Sequence, residues 1–173
     1  MFLAILTDEN KTVRILEDDI VNVVGTSTGL YSYQSTRGGQ ITIPSCSIES
    51  YSIDGYKAVD VTANSDGGYT VTKSNYETFA RNPDPYAGKQ ITFKAKVIQV
   101  VEGRNGNNVY RVTVDSDSNC VFYVEYTLPA GSSRILEKDV VTLSGEYYGL
   151  YTYSTTMGAA VTVPALIATD IHK

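Results

Sequence analysis

The chain has 173 residues, with 14 Lys and Arg against 19 Asp and Glu, which gives a formal net charge of −5. Because proteins that bind duplex DNA rely on Lys and Arg to neutralise phosphates, this balance argues against a duplex-DNA binder. The aromatic residues are 14 Tyr and 4 Phe without Trp. Tyrosines among other strand-forming residues suit half-buried strands, where the ring packs and the hydroxyl reaches water.

Two cysteines, Cys46 and Cys120, form neither a CxxC motif nor a metal-binding spacing. Because free cysteine is usually buried, two separate buried thiols fit the sequence better than a disulfide, which stays the alternative. The sequence contains no signal-peptide pattern and no long apolar run, so it predicts no membrane span. The alternative that a signal peptide was removed together with the missing front half of the first module stays open.

Residues 1–53 read as three strands. They are predicted at Met1–Thr7, Ile20–Tyr33 and Ile41–Ile53. Gly25 and Gly29 fall inside the second strand, where glycine marks a bulge or a tight bend. A polar turn over Asn10–Asp19 precedes that strand, and its Arg-Ile-Leu segment is too short for a stable helix.

A β-hairpin is predicted next. Lys57–Ala63 and Gly68–Lys73 alternate strand-forming residues around the turn sequence Asn-Ser-Asp-Gly. Two such runs joined by a short Asn- and Gly-containing turn are typical of a hairpin.

A helix is predicted over Ser74–Arg81. Ser74 is its expected N-cap, and Glu77 stands three residues later, where it would complete a capping box. The apolar face of the helix is formed by Tyr76, Phe79 and Ala80, at spacings of three and four.

Three strands follow the helix. They are predicted at Gln90–Val101, around Tyr110–Val114 and at Cys120–Thr127. On the first of them Ile91, Phe93, Ala95 and Val97 alternate onto one face, and Thr92, Lys94 and Lys96 lie on the other.

The last part of the chain occurs twice. Arg134–Pro164 reads RILEKDVVTLSGEYYGLYTYSTTMGAAVTVP, and Arg14–Pro44, 120 positions earlier, reads RILEDDIVNVVGTSTGLYSYQSTRGGQITIP. The two stretches align without a gap, and the same offset places Phe2 on Phe122. A stretch repeated at a fixed offset indicates one structural unit used twice.

The order of these elements is that of a five-stranded oligonucleotide/oligosaccharide-binding (OB) barrel: three strands, a connector, and two strands of which the first is kinked at glycines. We therefore predict an all-β protein with a complete OB-fold domain over 74–173. Before it lie a β-hairpin or linker over 54–73 and a partial OB-like module over 1–53, which holds only the last three strands.

A half module without its partner strands leaves an open edge and an exposed apolar face. Three remedies are open. The hairpin fills the gap, a second chain donates strands, or the natural protein begins before Met1. Truncation is the preferred interpretation, with the fragment forming a homodimer through the incomplete module or packing on the second domain.

The runs FARNPDPYAGKQITFKAKVIQV, YRVTV, VFYVEY, RILEKDVVTLSGEYYGLYTYSTTMG and VTVPALIATDI resemble a group of OB-fold proteins of Gram-positive bacteria, similar to the tRNA-anti-like class of OB domains. The resemblance covers Asn75–Ile171 and, as a half module, Met1–Ile53. Many members of the group are secreted or lipid-anchored, so the resemblance implies an extracellular or cell-surface location. It brings no catalytic residues.

Ligands of OB barrels usually lie across strands two and three, between the one–two and four–five loops, here Glu102–Asn108 and Ser154–Ala160. The candidate stacking residues are Tyr123, Tyr151 and Tyr153. The candidate cations are Lys94, Lys96, Arg104 and Arg111. The alternative, favoured by the interleaved acidic residues, is that the tyrosines pack the barrel wall and the lysines are ordinary exposed residues.

Nothing in the sequence predicts catalysis. His172 is the only histidine, so neither a Ser-His-Asp nor a Cys-His arrangement is available. Asp115–Asn119 begins like a calcium loop, but Cys120 replaces the turn glycine and Tyr126 the bidentate Glu, which favours a polar turn. We therefore expect no enzyme, no catalytic or metal-ligating residues and no cofactor.

Two functions fit these observations. The first is a non-catalytic binding or adaptor module that mediates protein or cell-surface interactions. The second, less favoured, is weak binding of single-stranded nucleic acid or oligosaccharide through the tyrosine-rich barrel face.

Overall fold

The computed structural model describes residues 2–7, 13–155 and 158–173. It divides into two compact units, Met1–Lys57 and Ala58–Lys173. Residues 10–12 of the predicted polar turn and residues 156–157 of the predicted loop Ser154–Ala160 lie outside the described residues.

The secondary structure is mostly β, as the sequence predicts. The strands are β1 (Leu3–Leu6), β2 (Val21–Gln34), β3 (Gln40–Ile53), β4 (Tyr69–Thr70), β5 (Gln90–Val101), β6 (Asn107–Val114), β7 (Val121–Thr127), β8 (Val140–Ser154) and β9 (Ala160–His172). Helix α1 spans Tyr76–Arg81, and short 3-10 turns cover Asp84–Tyr86 and Arg104–Gly106.

The second unit contains a closed ring of strands. Its sheet has the order β4-β5-β6-β7-β9-β8, and β5 also pairs with β8, which closes the ring. Strand β5 reaches both neighbours because residues 90–96 pair with β8 and residues 95–101 with β6, with a register shift between Val97 and Gln99. The β7–β9 pair is parallel, and the other pairs around the ring are antiparallel.

The core of this unit lies inside the ring and follows the predicted alternation. The predicted inward residues of β5 and β6 are at most 2% exposed, namely Ile91, Phe93, Ala95, Val97, Tyr110, Val112 and Val114. The rings of Phe93 and Phe122 lie 4.6 Å apart between centroids. Full burial of each such large side chain contributes about 1.5–3 kcal/mol, so this interior is the main source of stability.

Helix α1 packs its predicted apolar face on the ring, but the predicted capping box is wrong. The helix begins at Tyr76, and the N-cap residue, Asn75, makes no side-chain capping bond. Its Oδ1 instead accepts the N–H of Thr72 at 2.8 Å, and the Ser74 hydroxyl bonds that of Thr72. Because the turn before the helix uses these side chains, they do not cap it, and Glu77 pairs with Arg81.

The predicted hairpin over 57–73 is also wrong, although its turn forms. The N–H of Asn64 donates to Gly68 at 2.7 Å, but 57–63 contains no strand. Strand β4 pairs in parallel with Ile91 and Thr92 of β5. Strand β6 pairs with β5 only from Ala95 onward, so this part of the β5 edge is open to β4.

The first unit is a three-stranded sheet in the order β1-β3-β2. Its pairings recur 120 residues later: Leu3↔Ser45 and Leu30↔Pro44 correspond to Tyr123↔Ala165 and Leu150↔Pro164. Strand β2 has register shifts before Gly25 and before Gly29, where the sequence predicts bulges or bends, and β8 has them before Gly145 and Gly149. The internal geometry of β1, β2 and β3 is therefore that of β7, β8 and β9.

Candidate functional site

Four of the predicted site residues meet on the outer face of the ring. Tyr123 and Tyr151 stack with ring centroids 4.1 Å apart and planes inclined by 25°. The guanidinium carbon of Arg111 lies 5.0 Å from the centroid of the Tyr153 ring. Arg111 and Tyr123 are directly paired neighbours on β6 and β7. We call these four half-buried residues the tyrosine surface.

Strand alternation and one small residue place the stacked rings. Tyr123 lies between the buried residues Phe122 and Val124 on β7, so its own side chain lies outside the ring. Strand β9 separates β7 from β8, and where Tyr123 pairs with β9 the residue is Ala165. A methyl group at this position leaves room for the Tyr123 and Tyr151 rings to meet above β9.

A pocket of about 140 Å³ opens beside the stack. Its lining includes Tyr148, Glu125 and Ile167 together with both stacked tyrosines. Tyr148 is 59% exposed and Ile167 is 44% exposed, so the pocket combines a fixed aromatic wall with uncovered apolar area.

A wider groove of about 700 Å³ adjoins this pocket and shares Glu125 and Ile167 with it. The rest of its lining is mainly polar and comes from β6, β7 and β9: Asn107, Asn108, Val109, Tyr126, Thr127, Ala168 and Thr169. We call it the β7–β9 groove. Pocket and groove therefore adjoin at Glu125 and Ile167.

The phenols of Tyr123 and Tyr126 stay neutral over the physiological range. Burial raises the pKa of Tyr123 above its ordinary value, and the hydrogen bond to Tyr151 and the charge of Glu125 act in the same direction. Burial also raises the pKa of Tyr126, with a further contribution from Asp170. These tyrosines therefore offer neutral hydroxyl groups beside the Glu125 carboxylate.

Arg111 already has partners on this surface. Its Nη1 donates to Gln99 Oε1 at 3.2 Å, and its guanidinium lies over Tyr153. Glu125 is exposed at the boundary of the pocket and the groove.

In the part of the chain that the structure describes, the other three predicted cations make no polar or ring contact with the four residues of the tyrosine surface, although Lys96 pairs with Thr113 on β6, two residues from Arg111. Lys94 and Lys96 of β5 pair with Thr142 and Val140 of β8. Arg104 is exposed in the turn before β6. Within residues 2–7, 13–155 and 158–173, no hydrogen bond, ion pair or ring contact joins these three to the tyrosine surface.

Sequence reasoning missed Glu125, Tyr148 and Ile167. Alternation along VFYVEYT would have found Glu125, because it shares the outward face with Tyr123. It could not have found Tyr148, because the register shift between Tyr147 and Gly149 interrupts the alternation of β8.

The remaining candidate groups serve local structure. The carboxylate of Asp115 accepts the N–H of Lys73 at 2.9 Å, and that of Asp117 accepts the N–H of Asn119 at 3.0 Å. Cys46 and Cys120 are free and buried, the arrangement that the sequence favoured. Among the described residues, no three His, Cys, Asp or Glu side chains gather where they could hold a metal ion.

Within the described ranges, no helix has the length and apolar character needed to cross a membrane. Comparisons with protein-family models, with curated proteins and with solved structures found no match to this chain. The resemblance to Gram-positive OB-fold proteins therefore stays a prediction.

Proposed function

We propose that the second unit is an OB barrel and that this chain is a non-catalytic binding module, which holds an extended protein segment along the tyrosine surface and the β7–β9 groove. The strand order supports the barrel assignment. If β5, β6, β7, β8 and β9 are counted as strands one to five, their order around the ring is one, two, three, five, four and back to one. The third and fifth strands, β7 and β9, are parallel. A five-stranded Greek-key barrel of this kind binds ligands on its second and third strands, here β6 and β7.

The observation that carries the proposal is the Tyr123–Tyr151 stack beside the exposed side chains of Tyr148 and Ile167. Side chains already held in place lose little conformational entropy when a partner binds. Tyrosine and arginine are also the residues that, with tryptophan, most often dominate protein interfaces. This surface therefore has the composition and rigidity of a protein-binding site.

The charges of the surface indicate what kind of segment it binds. Arg111 is engaged by Gln99 and Tyr153, and the exposed Glu125 lies where pocket and groove meet. The chain also carries a net charge of −5. A segment with an apolar side chain for the pocket and a Lys or Arg for Glu125 would complement this surface.

A random peptide library displayed on phage and selected on the full chain tests the proposal. We expect enriched sequences that combine an apolar or aromatic residue with a nearby basic one. Fluorescence polarisation of a selected peptide should show binding weakened at least about tenfold by Tyr151→Ala. Tyr31→Ala is the matched control, since Tyr31 holds the equivalent position in the first unit, where Leu3 stands in place of Tyr123.

Two outcomes would contradict the proposal. One is a selection that enriches no common sequence. The other is a peptide whose affinity falls equally in Tyr151→Ala and Tyr31→Ala, because such a peptide does not depend on the stacked Tyr123–Tyr151 pair.

A second candidate function is binding of single-stranded nucleic acid. It is supported by Arg111 and Tyr123, which lie side by side on the two strands that bind ligands in OB barrels. Stacking on an aromatic ring contributes about 1–3 kcal/mol per base. A labelled oligothymidylate distinguishes the two candidates: affinity that falls steeply with salt and is lost in Arg111→Gln would replace the peptide proposal.

A further inference from the structure

The first unit has two strand edges whose counterparts in the second unit are paired. In the second unit the outer edge of β8 pairs with β5, and the outer edge of β7 pairs with β6. The matching edges belong to β2 and β1, which are the outermost strands of the order β1-β3-β2. In the described part of the chain, no further strand pairs with either edge.

The side chains that β5 and β6 cover in the second unit are open in the first. Leu143 and Phe122 are both 0% exposed. Their counterparts 120 residues earlier, Val23 and Phe2, are 44% and 54% exposed. The first unit therefore exposes apolar side chains beside its two open strand edges, whereas Cys46 and Ile48 of the central strand β3 are buried, as are their counterparts Leu166 and Ala168.

The composition of the open edge favours strand addition. Strand β2, VNVVGTSTGLYSYQ, contains no charged residue and no proline, and neither does β1, LAIL. Strands that remain at the edge of a sheet usually carry lysines or prolines that block further pairing. An edge without them can accept a strand through backbone hydrogen bonds, while alternate side chains give specificity.

We propose that the first unit binds an antiparallel pair of β-strands from a partner polypeptide, which closes its sheet as β5 and β6 close that of the second unit. One strand of the pair aligns with β2 around Val21–Thr26 and carries apolar residues at alternate positions, as Ile91 and Phe93 do in β5. The other strand pairs with the first and with β1.

A second copy of this chain fits the two edges less well. Its own β5 and β6 are held in its ring, so it has no such pair to give. Pairing of two β2 strands would extend the sheet but would leave both β1 edges open. The occupant that fits is therefore a strand pair that does not come from a second copy of this chain.

A synthetic peptide spanning Gln90–Val114 supplies a defined probe, because it has the sequence of the strand pair that closes the second unit. Added to the full chain, the labelled peptide should bind with 1:1 stoichiometry by fluorescence anisotropy. Hydrogen exchange should slow in β1 and in the first half of β2. The Tyr151→Ala variant should bind it unchanged, which separates this site from the tyrosine surface.

Two neighbouring residues give a matched pair of variants. Val23→Lys places a charge on the face that the strand pair covers and should weaken peptide binding by at least about tenfold. Val24→Lys places the same charge on the opposite face of β2 and should change binding less than about twofold. Val23 and Val24 are 44% and 63% exposed, so neither variant disturbs a packed core.

Three results would overturn the proposal. The first is no binding of the peptide at about 100 μM, a concentration sufficient to detect a weak complex. The second is equal weakening by Val23→Lys and Val24→Lys. The third is a chain that sediments alone as a dimer with slow exchange in β2, because a second copy would then occupy the edge.

Discussion

The phenol of Tyr147 donates a hydrogen bond to the backbone carbonyl of Phe79 at 2.7 Å, and both side chains are 0% exposed. Their rings also meet edge to face, with centroids 5.6 Å apart. Phe79 belongs to the last turn of α1, where carbonyls have no partner within the helix. A core tyrosine of β8 therefore satisfies the end of the helix and fixes it to the ring of strands.

Replacing Tyr147 by Phe should lower the free energy of unfolding by about 1–3 kcal/mol, because the change removes the donor to a buried carbonyl while keeping the ring. Urea unfolding followed by circular dichroism measures the effect. Tyr148→Phe is the control: its side chain is 59% exposed, and its loss of a hydroxyl should stay within about 0.5 kcal/mol. Equal midpoints for the two variants would contradict the assigned role of the hydrogen bond.

Gly145→Ala should destabilise the second unit by about 3 kcal/mol or more, at or above the usual cost of overpacking a core. A Cβ atom at Gly145 would lie 2.2 Å from the carbonyl oxygen of Ile167, which is backbone and cannot turn away. In the first unit, a Cβ at Gly25 would lie 2.1 Å from the carbonyl oxygen of Ser47.

The two glycine variants can be compared within one chain by hydrogen exchange. Gly145→Ala should accelerate exchange in β8 and β9, and Gly25→Ala should do so in β2 and β3. An alanine variant whose strands keep their original protection would show that the bulge tolerates a side chain.

The first part of β5 could be predicted because its inward residues follow an uninterrupted alternation. Ile91, Phe93, Ala95 and Val97 face inward as the pattern requires, and the bulge glycines of β2 and β8 lie where the repeat places them. Two local predictions were wrong, the first because of a competing local hydrogen bond and the second because of a tertiary contact. Ser74 bonds within the preceding turn, and Tyr69 pairs with an edge of β5 that only the finished sheet exposes.

The candidate site could be predicted only at positions that the alternation of inward and outward side chains along a strand determines. The outward position of Tyr123 follows from its place between Phe122 and Val124. Its contact with Tyr151 depends on β9 lying between β7 and β8 and on the small residue Ala165 at the crossing point. Neither the strand order nor this spacing can be read from a local pattern.

The lowered pKa of Asp139 predicts that the protein loses stability in acid. The N–H of Leu136 and the ammonium group of Lys173 lower the pKa of Asp139 below its ordinary value of 3.8. Its contribution is therefore complete above this value and is lost as the pH falls through the lower folded-state pKa. Asp139→Asn should destabilise the protein near neutral pH and make the midpoint of unfolding less dependent on pH below about 4.

A high salt concentration distinguishes the two causes of the lowered pKa of Asp139. Lys173 and Asp139 form a surface ion pair at 2.8 Å, which salt screens, whereas the Leu136 hydrogen bond is local. Lys173→Ala should therefore lose its effect in about 1 M salt, where the screening length is about 3 Å. If Asp139→Asn leaves the acid dependence of unfolding unchanged, Asp139 does not carry it.

Cys120 should react slowly in the folded protein. Burial raises the pKa of its thiol to about 11, and the carboxylates of Asp117 and Glu77 act in the same direction. The thiolate is the reactive species, so the folded chain at pH 8 should react with a disulfide reagent at least about 100-fold more slowly than the unfolded chain. A Cys46→Ser background assigns the measured rate to Cys120 alone.

The raised pKa of Cys120 also makes the stability of the protein depend on pH in the alkaline range. Because the folded-state pKa is raised, the neutral thiol favours the folded chain fully below the ordinary value of 9.0, and this contribution is lost as the pH rises toward 11. Cys120→Ala should remove that part of the alkaline dependence, although the change of side chain alters the absolute stability.

Asp117→Asn removes one charge that disfavours the thiolate and should raise the reaction rate of folded Cys120. A rate that is unaffected by urea would show that the thiol is not protected by the fold.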